Sequence, residues 1–203
     1  MDAYVIHLSH RTDRMKLIQQ NHKLYPCLNL KVVDAVAHSN GAIGCLRSHQ
    51  KIIQMAKNAG KPYVLVLEDD CKFLIQNGFL FKHLNHMVDY LNRHPQIQVL
   101  NGSANFSEPE PLTWKTEGDL TFLHADHVST THCVLYTASS YDAVLAFDDE
   151  SPIDDALNSL RMEFVFPFLA TQAPSYSDIQ KEDVEHKIAR SYAFVRDVLA
   201  NGR

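Results

Sequence analysis

No window of this sequence approaches the roughly 18 consecutive apolar residues that a membrane-spanning helix requires. The opening residues, MDAYVIHLSHR, hold an apolar run too short, and too soon broken by charge, for a secretory leader. Basic residues are not in excess either. Nineteen Lys and Arg stand against 24 Asp and Glu, giving a formal charge of -5, which argues against the basic face of a broad nucleic-acid binder. Cys27, Cys45, Cys71 and Cys133 show no paired spacing and are read as reduced thiols. These absences predict a cytoplasmic protein with at most peripheral membrane contact. A Gly-x-Ser-x-Gly elbow is missing, and so is a Gly-x-x-x-x-Gly-Lys phosphate loop, so neither serine hydrolysis nor that route to ATP hydrolysis is expected. Repeats, low-complexity tracts and linkers are also lacking.

What is present is enough for one full core: 203 residues, 45% of them hydrophobic. Strand-like and helix-like segments alternate. Strands are expected at 3–8, 29–36, 63–67, 97–102, 120–128, 132–138 and 164–170, the last demoted to an edge or a break by Pro167. Helices are expected at 11–22, from Gly41 to a stop at Gly60, at 79–93, at 139–147 and from about Lys181 to Leu199. Residues 103–118, with Pro109, Pro111 and Gly118, read as a surface loop. The pattern predicts an α/β fold around a mainly parallel sheet, in which ligands bind beyond the carboxyl ends of the strands.

One strand ends at such a place in an unusual way. In YVLVLEDDCKF (63–73) five residues suited to burial run into Glu68, Asp69 and Asp70. Like charges within about 4–6 Å raise one another's pKa, and a divalent cation with hard oxygen ligands resolves the conflict. In strand geometry Glu68 and Asp70 share one side and Asp69 takes the other. A solvated strand end carrying a run of charge is the alternative reading.

The surroundings of the triplet narrow the choice. GAIGCLRSH (41–49), followed by VLVLEDD (64–70) and preceded by VIHLSHRTDR (5–14), resembles glycosyltransferase family 25, which includes bacterial lipooligosaccharide and procollagen galactosyltransferases. THCVLYTASSYDAVLAF (131–147), SPIDDAL (151–157) and PSYSDIQ (174–180) resemble the family's later elements in the same order. His7 stands where the family has Asn, and Ala42 where it has Glu.

The resemblance implies a single Rossmann-like nucleotide-sugar transferase domain of the GT-A type over residues 1–203. Its donor-binding half would span about 1–102 and its acceptor-side half about 103–203. It implies a metal-dependent, inverting transfer of galactose or glucose from a UDP-sugar to a saccharide, glycolipid or glycoprotein hydroxyl. Mn²⁺ or Mg²⁺ would be held by Asp70 with Glu68. Arg11, Arg14, Ser48, His49, Asp69 and Asp178 would meet the nucleotide sugar. Asp154, with Asp155 next, would be the catalytic base. Read without the resemblance, Asp154 is a helix N-cap, Arg14 a solvated helix residue, His49 a hydrogen-bonded half-buried histidine and Asp178 a turn residue.

Two other readings compete. The first is a catalytically silent nucleotide-sugar- or carbohydrate-binding module of the same fold. The second is a phosphohydrolase or glycosidase, although the carboxylates of the triplet do not fall on opposing walls. His124, Asp126, His127 and His132 suggest zinc by residue type, but in a strand they do not share one face, and Cys133 is not spaced to complete the set.

Overall fold

The computed structural model describes residues 1–106, 108–174 and 187–202. Asp178 and the PSYSDIQ element from Ser175 onward lie outside the described residues. The chain runs β1 (Asp2–His7), α1 (Thr12–Leu24), β2 (Asn29–Asp34), α2 (Gly41–Asn58), β3 (Tyr63–Glu68), β4 (Cys71–Phe73) and α3 (Asn77–Arg93). There follow β5 (Val99–Asn101), β6 (Thr113–Glu117), β7 (Leu120–His124), β8 (Cys133–Thr137), α4 (Tyr141–Leu145), α5 (Ile153–Leu157), β9 (Met162–Phe166), β10 (Ala170–Gln172) and α6 (Lys187–Asn201).

The main sheet has the order β2-β1-β3-β8-β5-β9-β7-β6, and β4 pairs with β10 in a small second sheet. β2, β1 and β3 are mutually parallel, as are β5 and β9. β8 lies antiparallel between β3 and β5, and β7 antiparallel between β9 and β6. Six strands therefore share one direction and two oppose it. The α/β, Rossmann-like architecture is as expected, with one reversed strand at the centre and the other next to the far edge.

β3 shows why its apolar run is continuous. Val64 and Val66 enter one core layer with Leu46, Ile52 and Ile53 of α2. Leu65 and Leu67 enter the opposite layer with Ile18 of α1 and Leu80, Leu84, Met87 and Leu91 of α3. A strand covered on both faces needs no polar alternation, and each such side chain contributes about 1.5–3 kcal/mol by burial. Two large apolar residues of these helices point outward, Met55 of α2 and Phe79 of α3.

The expected loop at 103–118 contains a strand, β6. Its side chains are exposed except at Glu117, so no apolar face marks it in sequence. It forms a hairpin with β7 across Gly118, whose φ of 57° suits glycine in the turn. β7 ends at His124, earlier than the expected 128, and β9 ends at Phe166, directly before Pro167.

The approach of α2 to the loop after β2 fixes one wall of the cleft described below. Ser48 Oγ donates to Gly44 O (2.6 Å) and accepts from Val36 N (2.8 Å). A Cβ at Gly44 would stand 2.8 Å from Val36 O. Ala is worth about 1 kcal/mol over Gly in a free helix, but a clash with backbone carbonyl has no flexible atom to yield. Gly44→Ala is expected to destabilise the protein by about 1–3 kcal/mol, read as a lower urea midpoint at unchanged m-value. A neutral or raised midpoint would refute the close-approach argument.

Candidate functional site

At the carboxyl ends of β1, β2 and β3 opens a cleft of about 550 Å³, within the range of small-molecule sites. One wall comes from the loop after β2 and the first turns of α2, including Ala42 and Cys45. The floor is Glu68, Asp69 and Asp70 with Arg14. The opposite wall is formed by Ser129, Thr130 and Thr131 ahead of β8 and by Pro152–Asp155 at the start of α5.

The acidic triplet is the tight link between two strands, with Asp69 and Asp70 joining β3 to β4. It is pinned on both sides. Asp70 O accepts from Ala173 N (2.8 Å), and Asn21 Nδ2 donates to Cys71 O (2.8 Å). Asp69 turns toward β1 and shares the Arg14 guanidinium with Asp70. Its Oδ2 pairs with His7 Nδ1 (2.9 Å) and accepts from Leu8 N (3.3 Å), while Oδ1 accepts from Arg14 Nη1 (2.6 Å). Arg14 Nη2 lies 3.2 Å from Asp70 Oδ2. The positive charge among the carboxylates is thus a guanidinium of the chain itself. His7 is buried and tied to Asp69.

Glu68 and Asp70 differ sharply. Glu68 Oε1 accepts from Thr131 Oγ1 (2.6 Å) and lies 4.0 Å from His49 Nε2. Burial pushes its carboxyl up, but the nearby imidazole and the Thr131 hydroxyl outweigh this and leave it below the usual glutamate value. Asp70 is pushed up to about 7, by burial first and by the Glu68 charge second. Its Oδ1 is buried with no hydrogen-bond partner. Two adjacent carboxylates, one with an unsatisfied buried oxygen, are a donor set that fits a hard divalent cation.

Across the cleft Asp154 occupies the first turn of α5, whose N-cap is Pro152, so Asp154 is not the cap. It is half-buried, and burial, Asp155 and Glu68 raise its pKa. Asp155 is exposed and faces His127 Nε2 at 3.6 Å. The other residues singled out in the sequence are engaged by groups of the protein itself. Arg11 does not line the cleft; its Nε and Nη2 donate to Asp13 (3.0 and 2.8 Å). The Ser48 hydroxyl is engaged with backbone, as described above. His49 is fully buried behind Glu68, with Nδ1 2.9 Å from Tyr136 Oη. The histidine-rich stretch 124–132 is dispersed. His132 bonds Thr130 and Ser103, and His124 bonds Met162 O. Sequence reading passed over Thr131 and Cys45 as site residues. Thr131 carries no spacing signal, and its role arises only from the β3–β8 pairing.

The elevated Asp70 pKa makes stability depend on pH. In the unfolded chain this carboxyl loses its proton near 4. Between there and about 7 the native state holds the extra proton, so stability falls as pH rises. Urea unfolding in EDTA is expected to show the wild type losing stability relative to Asp70→Asn between pH 4.5 and 7.5. A difference that does not vary with pH would contradict this.

Residues 38–111, just over a third of the chain, match the sequence model of glycosyltransferase family 25 (LPS biosynthesis protein). None of the curated proteins matches the chain. Among solved structures the chain is similar to A197 from STIV, at TM-score 0.52 and 10% identity, covering 90% of this chain and 92% of that one. It is also similar to a glycosyltransferase involved in glycosylation of the major capsid of PBCV-1, at TM-score 0.43 and 15% identity over 79% of this chain and 66% of that one. A third likeness is to apo UDP-glucose pyrophosphorylase, at TM-score 0.46 and 11% identity over 97% and 81%. At such identity the first of these shows a shared fold. The segment that matches this family model is the one that builds α2 and the acidic strand end.

Proposed function

We propose that the cleft binds a UDP-sugar and transfers its hexose, galactose or glucose, with inversion to a hydroxyl of a saccharide, glycolipid or glycoprotein. The observation that carries this reading is the pairing, across one cleft, of the acidic strand end with a half-buried carboxylate of raised pKa, Asp154. Donor contacts fall on the 1–102 half, and the acceptor side is built from the 129–131 loop and α5.

Glu68 and Asp70 are the residues that would hold Mn²⁺ or Mg²⁺. When bound, such an ion neutralises charge on the departing nucleoside diphosphate. Arg14, beside Asp70 on the cleft floor, adds fixed positive charge at the same end. Asp154 takes the acceptor hydroxyl's proton as that oxygen bonds the anomeric carbon. The carbon's bond to the diphosphate oxygen breaks on the opposite face, and UDP leaves with the electron pair. A raised pKa brings the base nearer working pH, where proton transfer is most effective. Asp155, exposed and facing His127, adds negative charge that keeps the Asp154 proton affinity high.

Ala42, at the wall position where the family has Glu, favours a second reading as a silent binding module. Turnover separates the two. With Mn²⁺ and UDP-galactose or UDP-glucose, the wild type is expected to release UDP, and Asp154→Asn to lower kcat by about 10²–10⁴-fold at donor affinity within twofold. Asp70→Asn is expected to abolish cation-dependent donor binding. Full kcat in Asp154→Asn removes the base assignment, and binding without any turnover in the wild type favours the silent module.

A further inference from the structure

Two groups beside the triplet have no part in the transfer reaction. Cys45 and His49 stand four residues apart on α2, hence on one face, and that face meets Glu68 at the end of β3. A sulfur, an imidazole nitrogen and a carboxylate oxygen from these residues all lie within 4.8 Å of one another. Separately, His49 Nε2 is buried without a hydrogen-bond partner, in a side chain of no solvent exposure, and points at Glu68 Oε1 from 4.0 Å. That gap is too long for a hydrogen bond. Two donors bound to one tetrahedral ion at about 2.0–2.1 Å stand roughly 3.3 Å apart, so a closure of under ~1 Å would bring both into coordination.

The surroundings orient these ligands. With its proton on Nδ1, toward Tyr136 Oη at 2.9 Å, the His49 ring presents the Nε2 lone pair to Cys45 and Glu68. Glu68 Oε1 accepts from Thr131 Oγ1 at 2.6 Å. Partners of this kind fix the tautomer and direction of metal ligands. Cys45 and Glu68 line the cleft whereas His49 lies behind it, so an ion has an entry path and an open fourth position toward the cleft.

We infer that Cys45, His49 and Glu68 form a zinc-type transition-metal site on the cleft wall, open at its fourth position. A thiolate–imidazole–carboxylate set selects Zn²⁺ or Co²⁺ over Mg²⁺ and Mn²⁺. Binding displaces the Cys45 thiol proton to solvent, and the sulfur's electron pair goes to the ion. The site shares Glu68 with the cation of the transferase reading but depends on Cys45 and His49, which that reading leaves unused.

The test uses the EDTA-treated chain titrated with Co²⁺ alone, without nucleotide, and followed by near-ultraviolet and visible absorption. The expected result is one Co²⁺ per chain with a thiolate-to-cobalt charge-transfer band. Cys45→Ser is expected to lose the band, and Tyr136→Phe to keep it at about 10–100-fold weaker affinity. Asp70→Asn is expected to bind within about threefold of wild type, since Asp70 is not a ligand here. A wild-type cobalt complex without the band, or a band that survives Cys45→Ser, overturns the inference whether or not the variants fold well. So does cobalt binding that is lost in Asp70→Asn and kept in Cys45→Ser, because the ion then sits on the two carboxylates. Loss of UDP-sugar turnover with the band intact bears on the transferase reading alone.

Discussion

The guanidinium of Arg14, set between Asp69 and Asp70, is what permits a core strand to end on three consecutive carboxylates. Burial leaves carboxylates little solvent screening, so their repulsion requires a fixed counter-charge. Asp69 is fully committed, taking the guanidinium on one oxygen and His7 with the Leu8 amide on the other. Because these contacts join β3 to the end of β1 and the start of α1, the cleft floor inherits the rigidity of the parallel half of the sheet. Replacing either partner alone would leave a buried charge exposed to its neighbours, which is far more destabilising than losing a surface ion pair.

With Asp69 committed to structure, the remaining carboxylates divide the chemistry by environment. Glu68, near an imidazole and a hydroxyl, is held ionised. Asp70 and Asp154, more poorly compensated, bind their protons more tightly. Environments that push neighbouring acids apart are the means by which one site supplies both a fixed anion and a proton acceptor. Asp154 stands on α5, across the cleft from β3, so on the proposed transferase reading the proton acceptor would be kept apart from the carboxylates facing the leaving group.

Much of this was legible in the sequence because it follows from period and composition. The unbroken VLVL of β3 announces a strand covered on both faces, and α2 with its stop at Gly60 follows from its spacing and from glycine's tolerance of φ near 61°. The acidic strand end follows from the same run, whereas Asp154 was reached only through the resemblance of SPIDDAL (151–157) to a family element. Illegible were contacts that depend on which strands become neighbours. β8 comes to lie against β3 although some 65 residues separate them, and only that pairing brings Thr131 to Glu68. β6 escaped notice because an edge strand with solvent on its side chains has no hydrophobic alternation. Arg11 and Arg14 both follow the first strand, and a linear reading that prefers Arg14 still places both at the nucleotide sugar. Arg11 is the non-helical residue ahead of α1 and folds onto Asp13, whereas Arg14, in the first turn of the helix, lines the cleft.

The reversed direction of β8 decides what forms the rim of the cleft. A strand inserted head-down between β3 and β5 delivers its preceding loop, Ser129 to Thr131, to the same rim at which its neighbours finish. Substitutions in that loop reshape the aperture while the inserted strand stays clamped by two partners. Ser129 and Thr130 thus shape the lip alone, whereas Thr131 also reaches down to Glu68, so a change there is felt in the floor as well.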